Sequence, residues 1–98
     1  MVKFLFNLQE VKKAQLTLRA INNKMRVKII ELLVDKKTMN VTQIYVALKI
    51  EQSVASQHLA ILRKTGIVKT ERSGKAISYY IDYDRVDQII ASYELMDM

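Results

Sequence analysis

The apolar residues of this chain recur at three- and four-residue spacing up to Thr65 and at alternating positions after Gly66. That switch constrains the fold more than any other feature, because a helical pattern and a strand pattern cannot exchange places. The 98 residues contain no proline and only two glycines, so the two breakers mark real boundaries. Gly66 stands where the C-terminal glycine of a helix belongs, and Gly74 stands between two β-prone runs.

Before the switch the pattern predicts four helices. Phe4, Leu8, Val11, Ala14, Leu18 and Ile21 share one face of a first helix, from about Phe4 to Ala20. Asn22 or Asn23 caps a second, from about Lys24 to Lys36, with Met25, Ile29, Ile30, Leu32 and Leu33 apolar. Met39-Asn40-Val41 reads as a short strand. Thr42 is the expected cap of a third helix, Gln43 to about Lys49, whose inward residues are Ile44, Ala47 and Leu48. Ile50-Glu51 then connects tightly to a fourth helix, about Gln52 to Thr65, with Ala55, Leu59 and Leu62 inward.

After the switch, Ile67–Arg72 and Ala76–Ile81 flank Ser73-Gly74-Lys75 as a hairpin. Tyr79 shares a strand face with Ile77 and Ile81 and is expected in the core. Asp82 or Asp84 caps a last helix, about Arg85 to Met96, with Val86, Ile89, Ile90, Tyr93 and Met96 on its apolar face. The fold class is mainly α with a small β-hairpin, in the order helix, helix, helix-turn-helix, hairpin, helix. This is a winged helix-turn-helix, expected as a single domain over residues 1–98. Its terminal helices, about 4–20 and 85–96, are the expected dimerisation elements.

Two short helices joined by a tight turn and followed by a basic hairpin are suited to double-stranded DNA. The second helix enters the major groove, and the hairpin meets flanking phosphates. The outward face of the Gln52–Thr65 helix reads Ser53, Ser56, Gln57, Ala60 and Lys64. Gln57 suits a bidentate contact to adenine, the serines suit bases or phosphates, and Val54 suits a thymine methyl. A merely solvated helix would carry glutamate and lysine, the better helix formers, yet Gln52–Ala60 contains neither. Lys69, Arg72 and Lys75 are expected around the hairpin tip, with Arg72 suited to a minor groove. The candidate DNA-contacting set is Thr42, Gln43, Gln52, Ser53, Val54, Ser56, Gln57, Lys64, Arg72 and Lys75. A formal net charge of +6 favours a polyanionic partner without specifying one.

Gln52-Ser53-Val54-Ala55-Ser56-Gln57-His58-Leu59, followed by Leu62-Arg63-Lys64-Thr65-Gly66-Ile67-Val68, resembles the recognition-helix signature of the arsenical-resistance-repressor (ArsR-like) family. Met25–Leu33 and Tyr79-Tyr80-Ile81-Asp82 extend the resemblance over roughly residues 20–83. It implies a homodimer that represses promoters by binding a palindromic operator, with the first and last helices forming the interface. Metal-sensing members of that family carry cysteines where this chain has Asn40 and Thr42. Other members carry histidine and carboxylate ligands in the last helix, where this chain has Asp82, Asp84 and Asp87 without histidine. Glu51 replaces the usual serine cap, compatible with the helix dipole but unwelcome beside phosphate, and Lys49 replaces a frequent turn glycine, so a different local backbone is expected at Lys49.

Other functions fit poorly. The chain has no cysteine, which excludes disulfides, thiolate metal sites and thiol nucleophiles. Its one histidine, His58, is two residues from Ser56, and residues so spaced on a helix face different ways. No catalytic residue, metal or cofactor is expected. His58 is expected to pack at the edge of the helix-turn-helix or to touch phosphate, and Arg26 to serve structure or a DNA backbone contact. No apolar run approaches the roughly 20 residues that span a bilayer. Met1–Phe6 is too short for a secretory signal, so a cytoplasmic location is expected. Whether an effector ligand exists is open. The competing reading is a winged-helix protein–protein interaction module without specific DNA binding, since the fold serves both uses.

Overall fold

The computed structural model describes residues 19–96, with side-chain surroundings described through Ala91. The predicted first helix therefore lies mostly outside the described residues, and only residues 19–21 of it appear, as helix. The expected apolar positions Tyr93 and Met96 likewise have side chains outside the described ones. Within these bounds the order is α1 (Lys24–Lys36), α2 (Val41–Leu48), α3 (Gln52–Thr65), β1 (Val68–Ser73), β2 (Ala76–Ile81) and α4 (Tyr83–Met96).

Short polar side chains set the helix starts. Asn23 caps α1, its Oδ1 accepting from the amides of Met25 at 2.9 Å and Arg26 at 3.1 Å. The cap of α2 corrects the expectation for Thr42. Asn40 takes that role, accepting from the Gln43 amide at 2.8 Å while the Gln43 side chain accepts from the Asn40 amide at 2.9 Å. This reciprocal box satisfies two amides at once, which a single threonine two residues later cannot do. Asp82 rather than Asp84 caps α4, accepting from the Arg85 amide at 3.3 Å.

The turn between α2 and α3 keeps its left-handed residue although glycine is absent. Lys49 itself adopts φ 56° and ψ 44°, and its amide reaches back to the carbonyls of Tyr45 and Val46. A lysine in the left-handed region costs about 1–2 kcal/mol. At the end of α3, Gly66 has φ 81°, and its amide bonds the Arg63 carbonyl at 3.0 Å. A Cβ there would also meet the Arg85 side chain at 3.2 Å.

The hairpin pairs Val68 with Ile81 through to Ser73 with Ala76, leaving Gly74 and Lys75 as a two-residue turn. Gly74 alone has positive φ, 63°, the pattern of a type II′ connection. The short strand expected at Met39–Val41 reduces to one bridge, in which Met39 and Tyr79 exchange both backbone hydrogen bonds at 3.1 and 2.8 Å. Val41 is already helical because the Asn40 cap starts α2 there.

One core joins these elements: Ile29 and Leu33 of α1, Met39, Ile44 of α2, Leu59 and Leu62 of α3, Ile67, Val68, Ile81 and Ile89 of α4. Tyr79 is half-buried against it, as its strand face predicts, whereas Ile77 near the hairpin tip is exposed. The inward residues of α3 leave its opposite face to solvent, and that face is where the candidate residues lie.

Candidate nucleic-acid interface

Three apolar residues orient α3. Ala55, Leu59 and Leu62 are fully or almost fully buried, and their three- and four-residue spacing leaves the far side of the helix exposed. Gln52, Ser53, Ser56, Gln57, Ala60, Arg63 and Lys64 are all exposed there, while Val54 is half-buried. The first two turns therefore present hydroxyls and carboxamides, which donate and accept, with no charge among them. The last turn presents Arg63 and Lys64. Glu51 precedes α3 without making a side-chain cap, so its carboxylate stands beside this face as the one acidic group at the helix start.

Thr42 and Gln43 are exposed at the start of α2, the helix that precedes the reading face. The Gln43 carboxamide oxygen is engaged in the cap described above, which leaves its NH2 group to donate outward. On the hairpin, Arg72 and Lys75 are exposed at the tip end, with Arg72 opposite Ile77 and Lys75 in the turn itself. Among the described residues neither takes part in an ion pair, and neither does Lys64.

Lys69 departs from its expected place. It lies opposite Tyr80 near the base of the hairpin, and its ammonium is 2.7 Å from the Asp82 carboxylate. The hydrogen bond from Lys69 holds Asp82 below the usual carboxylate range, and the same bond holds Lys69 above the usual lysine value. The expectation failed because four residues of β1 separate Lys69 from the turn, and its place opposite Tyr80 sets it beside Asp82, which precedes α4. Lys69 joins wing to body instead of extending the cationic tip.

Sequence reasoning left His58 and Arg26 unassigned between structure and DNA contact. Both are half-buried, and Nη1 of Arg26 lies 3.4 Å from Nδ1 of His58. Nε of Arg26 donates to the Ala20 carbonyl. Burial, and then the neighbouring Arg26 cation, push His58 below the ordinary histidine value of 6.5. A histidine kept neutral in the fold contributes stability above its unfolded value, and that stability is lost as pH falls through 6.5 toward the depressed native value. Urea unfolding of the intact protein is therefore expected to weaken on acidification from pH 8 to 5 more than that of His58→Gln. Parallel pH profiles for the two would show that His58 does not carry the effect.

Arg85 was not singled out by the sequence, because no local pattern points to it. It is half-buried at the start of α4, and its Nε donates to the Thr65 carbonyl at 2.9 Å, twenty residues back. The one available signal is its i, i+3 spacing to Gln88, whose Oε1 accepts from Nη1 at 3.3 Å.

Among the described residues no three histidine, aspartate or glutamate side chains converge, and no helix is long and apolar enough to cross a membrane. The arrangement is an exposed polar face on α3 with a hairpin whose tip end is cationic.

The chain is similar to known proteins in sequence and fold. Residues 23–70 match the family described as bacterial regulatory protein, arsR family. The transcriptional repressor PagR of Bacillus anthracis is 41% identical over 73 residues, covering 74% of this chain and 73% of PagR. Its crystal structure superposes with a TM-score of 0.73 over 85% of this chain and 94% of the other. The transcriptional activator HlyU of Vibrio cholerae is 34% identical over 88 residues, covering 86% of this chain and 81% of HlyU. A homodimeric winged helix-turn-helix DNA-binding domain from Mycobacterium bovis, 23% identical, shares the fold with a TM-score of 0.73 over 91% of this chain and 82% of that one.

Proposed function

The chain belongs to the ArsR family of bacterial regulatory proteins, and from that premise we propose that it is a homodimeric repressor that binds a palindromic operator, without enzymatic activity of its own. It is a DNA-binding transcriptional regulator with the winged helix-turn-helix fold. Within that role, α3 reads base edges through Ser53, Ser56 and Gln57, with Gln52 and Val54 at its entry, and Thr42, Gln43, Lys64, Arg72 and Lys75 hold the flanking backbone. One observation carries this assignment: the exposed face from Gln52 to Ala60 has no carboxylate or lysine and lies beside cations that have no ion-pair partner among the described residues. A surface built only for solvation would carry glutamate and lysine there, and an interaction module would be freer to fill that face with acidic or large apolar groups.

Repression requires only that the site be occupied, because a dimer on a promoter excludes other proteins from the same DNA. PagR is named a repressor and HlyU an activator, so relatives of one fold act in both directions. Operator position then determines the outcome.

Selection of bound duplexes from a random DNA pool tests the proposal. An inverted repeat with half-sites about 34–36 Å apart, or a multiple of that, is expected. Enrichment of a single unrepeated site would overturn the paired operator, and no enrichment would favour the protein-interaction reading.

Pairing is supported by residues that the fold leaves apolar and exposed on α4. Tyr83 is 56% exposed and Ile90 is 50% exposed, and seven residues put them on one side of the helix. Symmetric pairs are the commonest oligomers, and a shared apolar helix face is a usual seam. Sedimentation of the intact protein at micromolar concentration is expected to give twice the chain mass, and Ile90→Lys to shift it toward one. A monodisperse monomer in the intact protein would overturn pairing.

A further inference from the structure

Burial of Ala55, Leu59 and Leu62 fixes which side of α3 faces inward, but apolar contact is non-directional and leaves the helix free to roll and slide slightly. Hydrogen bonds are directional and remove that freedom. Two arginines supply them from opposite sides of the motif. Arg85 lies across the C-terminal end of α3, donating from Nε to the Thr65 carbonyl at 2.9 Å, and Gln88 steadies its other arm. Gly66 is what admits it, since a Cβ at that position would meet its Cγ at 3.2 Å. Two other carbonyls of that end, those of Leu62 and Arg63, are satisfied locally. The Thr65 hydroxyl donates to Leu62 at 2.6 Å and accepts from the Ile67 amide at 3.1 Å, and the Gly66 amide bonds Arg63. Arg85 is thus the tie between this end of the reading helix and α4. It also places a cation at the negative end of the α3 dipole.

Arg26 makes the matching tie midway along α3. Its guanidinium spans from the Ala20 carbonyl, at the end of the helical residues 19–21, to Nδ1 of His58. Each arginine uses two nitrogens of one planar group, a geometry that lysine cannot reproduce.

We propose that Arg26 and Arg85 are positioning residues for operator reading, which lock α3 to the chain segments on either side of the motif and so set the angle and separation of the two reading helices in the dimer. This rests on the paired-operator reading above. Neither residue needs to touch DNA. One base pair of spacing moves a half-site by about 3.4 Å and rotates it by about 35°, so only a rigid pair of reading helices discriminates between spacings.

The test compares Arg26→Lys, Arg85→Lys and the double variant with the intact protein on duplexes carrying the selected inverted repeat. The same repeat is tested with one base pair added to or removed from its centre, and with one half-site scrambled. Lysine keeps the charge, so attraction to phosphate and the salt dependence should stay as they are. The intact protein is expected to prefer the selected spacing by about tenfold or more, and the double variant by about threefold or less, each single variant falling between. Affinity for the duplex with one half-site scrambled should change by less than about threefold in every variant, which shows the reading face intact. The single variants carry the test if the double variant unfolds. Variants that melt earlier but keep full spacing discrimination would overturn the proposal, as would a loss spread equally over all duplexes. An intact protein indifferent to spacing would overturn the paired operator and the proposal together.

Discussion

Leu62→Ala is expected to destabilise the fold by about 2–5 kcal/mol, while Lys64→Ala, two residues on, should leave stability within about 0.5 kcal/mol. Leu62 is fully buried beside Leu59, Ile67 and Val68 in the single core that joins the reading helix to the wing. Deleting its branch removes buried apolar surface and leaves a cavity lined by residues on three elements, which cannot all close in. A domain of this size typically has roughly 5–15 kcal/mol of stability, so the loss is a large fraction of the whole. Lys64 is exposed and without an ion-pair partner among the described residues, so its removal takes away an exposed charge and no buried contact. Denaturant midpoints and DNA titrations on both variants check this pair. A Leu62→Ala protein as stable as the intact one would mean that α3 does not pack inward as described. A Lys64→Ala protein that unfolds early would mean that its stem, not its charge, matters.

The contrast within one helix also explains what was legible in the sequence. Inward and outward residues of α3 differ in type at a regular spacing, so the pattern alone separates Ala55, Leu59 and Leu62 from Ser53, Ser56 and Gln57. The hairpin was legible for the same reason, through the change of period and the glycine at its turn. Element starts were less so. Asn40, Thr42 and Gln43 are all polar and adjacent, and which one caps α2 depends on two hydrogen bonds made together, a fact of geometry and not of composition. Lys49 shows the same limit from the other side: a residue with no preference for the left-handed region takes it, its amide closing the end of α2 onto Tyr45 and Val46.

Ties between distant residues were not legible at all. Arg85 reaches Thr65 across twenty positions, and Arg26 reaches His58 across thirty-two. Nothing local marks the distant partner of either arginine, because a long flexible side chain declares it only after the backbone has brought the two together. Lys69 was misplaced for a related reason. It was grouped with Arg72 and Lys75 by charge, but it sits near the base of the hairpin, where the start of α4 brings Asp82 to it. The consequence for the proposed interface is that Lys69 is engaged with Asp82, which leaves Arg72 and Lys75 as the cations at the tip end of the hairpin.

That division of labour gives the largest functional effects expected. Gln57→Ala should cost roughly 1–3 kcal/mol per half-site on the operator and little on a scrambled duplex, because a lost bidentate base contact matters only where the right base is present. Gln57 is exposed on the side of α3 opposite Ala55, Leu59 and Leu62, two turns before the Arg85 tie, so the substitution leaves the core untouched. Lys75→Ala acts on the turn at the wing tip, where a cation meets phosphate regardless of sequence. It should weaken both duplexes alike and lower the salt dependence by about one counterion per contact, hence by about two in a dimer. Titrating both variants against both duplexes across a salt series separates the two kinds of contact. If Gln57→Ala weakens both duplexes equally while Lys75→Ala costs only operator affinity, the roles of helix and wing are reversed. If neither variant changes binding, α3 is not the reading helix, and its polar face serves a protein partner instead.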